Sequence, residues 1–313
     1  MGQLTLRTLL AMCCTAGASA LVAGCGGSGS GSTISADGSS TVGPFTTAAA
    51  EGFRKESDVG ITVGISGTGG GFERFCRGET DISNASRPIK DSEQEICEQN
   101  GVEYVELHVA NDALTIVVNN ENDWATCLTV AELAKMWEPG STIKNWGQVR
   151  DGFPNVRLRL FGAGTDSGTF DYFTGEIVGE EGASRTDYSA SEDDNVTVQG
   201  VSGEKGGLGY FGFSYFEQNQ GTLNALEVDG GAGCVAPGVA SAQSGEYTPL
   251  SRPLFVYVRK TSLERTEAAD FIKYVLDNEE TIAERAQFVP LNAEQLAKAR
   301  ADLQAALDEV RGQ

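Results

Sequence analysis

The sequence predicts an α/β fold built as two globular units. Three observations carry that expectation. Apolar segments of strand period alternate with segments of helix period. A length of 313 residues corresponds to about two domains at roughly 100–200 residues each. A hydrophobic content of 40 % is enough for real cores, and no internal repeat is visible. The chain carries 44 acidic and 23 basic residues, a formal net charge of −21. So strong a negative balance argues against a nucleic-acid partner. A single histidine disfavours most metal sites and acid–base enzymes, so neither cofactor nor metal is expected.

In chain order, residues 1–24 read as a signal peptide. Arg7 is the only charge before Cys25, and an apolar, small-residue run covers 9–23. That run, about 15 residues, falls short of the ~20 needed to span a bilayer. The sequence Val22-Ala23-Gly24-Cys25 resembles a bacterial lipobox, which makes Cys25 the lipidated first residue of the mature chain. Residues 25–32, rich in glycine and serine, then serve as anchor and flexible tether. The protein is therefore expected at the extracytoplasmic face of the membrane, held by lipid. Cys76, Cys97, Cys127 and Cys234 remain, and an exported chain favours two disulfides among three possible pairings. We favour Cys76–Cys97, which closes a short loop, with Cys127–Cys234. No cysteine pair has zinc-ligand spacing.

Strands are expected at 59–66, where Ile61, Val63 and Ile65 alternate, and at 104–109, 114–119, 157–161 and 254–260. Helices are expected where Phe72, Phe75 and Cys76 share a face, and again at Phe170, Phe173 and Ile177. A third stripe is Phe271, Ile272, Val275 and Leu276; a last helix opens at Asn292 with Gln295 three residues on, a capping-box variant. Residues 182–195 and 230–245 read as loops. Trp124, Trp137 and Trp146 read as core, and 210–215 stays open between cleft lining and packing.

Three segments share one local pattern of small hydroxyl or glycine residues followed by a helix. They are 37–44 (DGSSTVGP), 66–71 (SGTGGG) and 162–169 (GAGTDSGT). A helix N-terminus leaves four N–H groups unpaired and carries about half a positive charge. Hydroxyls add donors, and glycine lets an anion approach the backbone. Each segment alone is most simply an N-cap; three of them suggest a cage for a compact oxyanion. No Gly-Lys-Ser/Thr follows the glycines, so this is not a P-loop.

The segments 37–44, 64–72, 81–89 (DISNASRPI), 164–170, 206–215 (GGLGYFGFSY) and 247–260 (YTPLSRPLFVYVRK) resemble, in order and spacing, the PstS family, the phosphate-binding proteins of Pst-type ABC transporters. The resemblance implies a two-lobed periplasmic-binding-protein fold of the second class, with mixed sheets flanked by helices and two crossover strands at the hinge. Lobe 1 is then 33–113 with 250–313, and lobe 2 is 114–249. It implies capture of inorganic phosphate and delivery to a permease, with the chain expected as a monomer. Family donors fall on Ser40, Thr41, Val42, Thr68, Ser167, Gly168 and Thr169. Two departures stand out. The family aspartate of the third segment aligns with Arg87 or with Ser86, and the family arginine four residues before Ser167 is Ala163. Arg87 becomes the candidate guanidinium, and Asp166 or Asp81 the candidate proton acceptor, with Asp81 leaning to a turn role.

Three other readings compete. A binding protein for sulfate, molybdate or a phosphonate would use the same cage. A phosphatase or serine hydrolase is disfavoured, because 164–168 (GTDSG) is not the Gly-x-Ser-x-Gly elbow and His108 falls on a strand. An adhesin or signalling lipoprotein of this fold is a third reading.

Overall fold

A computed structural model describes residues 33–165 and 167–312. The expected signal segment, tether and Cys25 anchor lie outside the described residues, as does Asp166. Among the described residues, no helix is long and apolar enough to cross a membrane.

The chain opens with β1 (Thr33–Gly38), α1 (Gly43–Phe53), β2 (Gly60–Val63), α2 (Gly67–Cys76), β3 (Ile82–Ala85) and α3 (Asp91–Gln99). β2, β1 and β3 pair in parallel. β4 (Tyr104–Asn119) joins the two expected strands 104–109 and 114–119 into one of 16 residues. Nothing polar interrupts it at a turn: Asn111 and Asp112 are buried within it. Its first half pairs antiparallel with β12 (Ser251–Arg259), its second half with β8 (Gly207–Gly212).

Between β4 and β12 lie β5 (Cys127–Thr129), α4 (Val130–Trp137), β6 (Arg159–Ala163), α5 (Gly168–Phe173), β7 (Ser189–Ser191) and α6 (Asp194–Gly203). After β8 come α7 (Phe213–Gln218), β9 (Leu223–Ala225), β10 (Glu227–Asp229), β11 (Cys234–Val235) and α8 (Val239–Ser244). β6 is parallel to β7 and β8. The segments expected as loops thus contain two short strands and a turn and a half of helix. After β12 the chain ends in α9 (Lys260–Leu263), α10 (Thr266–Asp277), α11 (Glu279–Arg285) and α12 (Ala293–Gly312). The capping box forms as read: Gln295 N–H donates to Asn292 Oδ1 at 2.8 Å, and Asn292 N–H donates to Gln295 Oε1 at 2.9 Å.

Two lobes result, each with its own core. One core gathers Ile34, Phe45, Ile61, Leu107, Val256, Phe271 and Leu303 around the first-half sheet. The other gathers Leu114, Ile116, Trp137, Trp146, Phe173, Leu208 and Tyr210. Burial of such side chains contributes about 1.5–3 kcal/mol each. Tyr210 is packed, its ring stacked on Phe173 at 3.8 Å, so it does not line the cleft. Among the described residues, β4 and the turn into β12 pass between the cores, and Leu114 N–H donates to Leu250 O at 2.9 Å where they do.

Cys76–Cys97 ties α2 to α3, and Cys127–Cys234 ties β5 to β11. Closing a longer loop removes more freedom from the unfolded chain. The Cys127–Cys234 link spans 107 residues and Cys76–Cys97 spans 21. Replacing the first pair by serine should cost ~4.7 kcal/mol and the second ~3 kcal/mol in urea unfolding.

Glu279, only 2 % exposed, accepts the Leu291 N–H at 2.9 Å. Burial pushes its carboxyl up to about 7; Glu280 adds to this, while the Leu291 bond and Arg300 oppose it. Its folded value exceeds its unfolded one, so the neutral acid favours folding. This contribution is full below the unfolded value near 4.5 and is lost as pH rises through about 7. Between pH 8 and pH 4 the wild type should therefore gain roughly 3 kcal/mol relative to Glu279→Gln, read by unfolding of both across that range.

Candidate anion-binding site

Parallel strands place the turns at their carboxyl ends on one edge of each sheet, the usual location of ligand sites in open α/β sheets. Here β1, β2, β3 and β6 each end in a hydroxyl- or glycine-rich turn. The turn after β1 depends on Gly38, whose φ is +136°. A Cβ there would sit 2.2 Å from Asn84 O, so only glycine lets the chain leave the strand and reach Ser40. The buried Asp37 accepts the Gly38 N–H at 2.7 Å and an ion pair from Arg74 of α2.

These turns border a cleft of about 520 Å³. Ser40, Thr41, Thr68, Ser86, Arg87 and Gly168 line it. The structure thus brings together residues from all three expected segments. The loop expected ahead of α2 is in fact its first turn: the helix starts at Gly67, putting Thr68 and Gly69 at its N-terminus. α2 has no side-chain cap, so its first-turn N–H groups face the cleft uncapped, whereas in α1 the Gly43 N–H donates to Ser39 O at 2.9 Å and Pro44 carries no N–H. Ser86 N–H donates to Thr68 Oγ1 at 3.3 Å, and the two hydroxyls are 3.1 Å apart.

The opposite wall approaches closely. A Cβ on Gly168 would lie 3.0 Å from Thr41 Oγ1 and 3.2 Å from Ser40 Oγ. Absence of a side chain there is what lets the lobes meet. Three expected donors are not on the cleft surface. Val42 is fully buried as the N-cap of α1, with its N–H 3.4 Å from Ser39 Oγ. Ser167 caps α5 by accepting the Thr169 N–H at 3.1 Å, so each satisfies the other.

Arg87 lies on the wall, but its guanidinium is engaged elsewhere. Nη1 and Nη2 each lie 2.8 Å from a Glu93 carboxylate oxygen, and the group sits 5.7 Å from the Phe72 ring centroid. This bidentate pair belongs to the α3 capping arrangement, in which Lys90 N–H also donates to Glu93 at 2.9 Å. Asp81 is held by Ser35, Ser262, Arg259 and Arg265 inside lobe 1. Burial pushes its carboxyl up, but those hydrogen bonds and charges keep it below the usual value. It is a buried anchor, away from the cleft.

Sequence reasoning missed Arg252. It lines the cleft, donates from Nε to Asp112 Oδ2 at 3.1 Å and from Nη2 to Thr41 Oγ1 at 3.0 Å. Its Cζ stands 3.5 Å over the Tyr172 ring, and Tyr172 Oη donates to Pro249 O at 2.8 Å. The available signal was an arginine on a crossover strand opposite an acid on the other. Asp171, Glu176 and Glu181 also line the cleft. Burial raises the carboxyls of Asp171 and Glu176, and the Arg252 charge opposes this.

The arrangement offers hydroxyls, the uncapped start of α2 and the Arg252 guanidinium to a small anion. A family model described as the PBP superfamily domain matches residues 25–279. Phosphate-binding protein PstS of Staphylococcus saprophyticus is 37 % identical over 305 residues, covering 95 % of this chain and 92 % of its own. This chain belongs to the PstS family of phosphate-binding proteins. Protein SphX of Synechococcus elongatus is 49 % identical over 264 residues, 83 % of this chain and 78 % of its own. A possible phosphate binding protein from Planctomyces limnophilus, solved by crystallography, superposes at TM-score 0.84 with 45 % identity, over 88 % of this chain and 98 % of that one. An ABC-type phosphate transport receptor from Vibrio cholerae shares the fold at TM-score 0.63 and 20 % identity, over 83 % of this chain and all of that one. The PstS-family fold is the two-lobed periplasmic-binding-protein fold, and the family consists of substrate-binding transport proteins.

Proposed function

We propose that this PstS-family chain captures inorganic phosphate outside the cell membrane and delivers it to the permease of an ABC transporter. The observation that carries the reading is convergence: Thr41, Thr68 and Gly168, from three separate stretches and both lobes, border one cleft. A tetrahedral oxyanion there would receive Ser40, Thr41, Thr68 and Ser86 hydroxyls and the first N–H groups of α2. It would reach the α5 start, with Ser167, Gly168 and Thr169, once the lobes tighten and the Ser167 cap yields. Val42 contributes through its backbone N–H in the same way. Charge-assisted hydrogen bonds contribute about 1.5–3 kcal/mol each, so a handful is ample for micromolar affinity near −8 kcal/mol.

Binding to both walls favours the closed state, so ligand shifts the hinge equilibrium and the permease reads closure. Lobe 1 is taken as 33–113 with 250–313 and lobe 2 as 114–249, in keeping with the Leu114–Leu250 contact. The protein acts as a monomer, anchored through lipid on Cys25. It is a carrier, not an enzyme: His108 hydrogen-bonds Ala110 O at 2.9 Å within β4 and serves no nucleophile. Arg87 braces the Ser86 turn through Glu93, and its role is to position that hydroxyl.

Calorimetry with phosphate and with sulfate tests the reading. Wild type should bind phosphate with a Kd at micromolar level or tighter, and sulfate more weakly; the reverse preference would replace phosphate by another oxyanion. Gly168→Val should weaken phosphate at least about tenfold, ~1.4 kcal/mol, by filling the 3.0 Å gap to Thr41. Gly203→Ala, whose Cβ meets nothing within 4 Å, should leave affinity unchanged.

A further inference from the structure

Arg252 is placed by strand register. It stands directly across the β4–β12 ladder from Asp112, at the point where both strands leave one lobe for the other. Its supports come from three bodies. Thr41 belongs to the turn before α1 in lobe 1, Asp112 to the crossover, and Tyr172 to α5 in lobe 2. A guanidinium held by a carboxylate at Nε and by a ring against its face keeps a fixed plane. Among the described residues, Nη1 carries no hydrogen bond. Arg87 also has a carboxylate and a ring beside it, but both of its Nη atoms are spent on Glu93.

The contact to Thr41 has a chemical consequence. A hydroxyl that accepts an N–H from a cation must direct its own proton elsewhere. Thr41 Oγ1, on the cleft wall, is therefore set as a donor, and it suits a ligand oxygen that carries no proton. The Asp112 carboxylate is 9 % exposed, and of the pair it is Arg252 that lines the cleft, so the pair presents its positive end there. A net charge of −21 does not reach that contact, because distant surface charges are screened over about 8 Å at physiological salt.

We propose that Arg252, oriented by Asp112 and Tyr172, is the guanidinium that binds the phosphate in this protein, acting directly through its Nη atoms and through the Thr41 hydroxyl it polarises. This rests on the phosphate reading of the cleft. It fills a position for which Ala163 supplies no cation and Arg87 no free one.

The test is titration calorimetry with inorganic phosphate on wild type, Arg252→Gln, Arg252→Lys, the double variant Arg252→Gln/Asp112→Asn and a surface control, Arg285→Gln. The double variant removes the buried carboxylate charge along with its partner, so it keeps the measurement possible where Arg252→Gln fails to fold. Unfolding of each ligand-free variant verifies the fold. Phosphate affinity should fall at least about 100-fold in the folded Gln variants. Lysine, which keeps the charge without the planar fork, should recover only part of it, and Arg285→Gln should match wild type. A folded double variant that binds within threefold of wild type overturns the assignment and leaves the phosphate reading standing. A wild type that does not bind phosphate overturns both. An equal loss in Arg285→Gln also overturns the assignment, because the effect would then be one of overall charge.

Discussion

Antiparallel pairing between β4 and β12 is the constraint on which the molecule depends. β4 is buried along most of its length and β12 through its middle from Leu254 to Val258, and together they are shared by two otherwise separate cores. The ladder runs from Arg259–Tyr104 to Ser251–Ala113, with one irregularity between Leu254 and Phe255. Because side chains alternate along a strand, a slip of one residue would reverse every face. It would also separate Arg252 from Asp112. The pairing that joins the lobes thus also sets the charge at the cleft between them.

An acidic protein can hold an anion because the two effects act at different ranges. Surface carboxylates repel weakly through screened solvent. Helix starts, hydroxyls and a fixed guanidinium act at hydrogen-bond distance, where water is displaced. The lobe 2 wall adds Asp171, Glu176 and Glu181, acids that narrow the set of welcome ligands to those the opposite wall can grip. Burial raises the carboxyls of two of them, Asp171 and Glu176, and the Arg252 charge opposes this.

Much of the site was legible because its chemistry is local. Ser40–Thr41, Thr68 and Gly168 announce themselves as residues at the starts of helices, and their place at the cleft follows from local backbone geometry. Arg87 is legible in the same way. It sits in a recognisable segment, yet Glu93, six residues on, takes its guanidinium in a contact that belongs to a helix cap. The split of β4 into two strands failed because Asn111 and Asp112 look like a turn; buried hydrogen bonds to Val289 and to Arg252 keep them extended.

By itself the sequence determined the α/β class, the period of several strands and helices, the cysteines available for pairing and the three donor-rich turns. All of these depend on neighbours a few residues apart or on composition. Only the tertiary structure decided which cation serves the cleft. Arg252 and Asp112 are 140 residues apart in the chain, and the register of two crossover strands, set by burial on both sides, is what makes them neighbours.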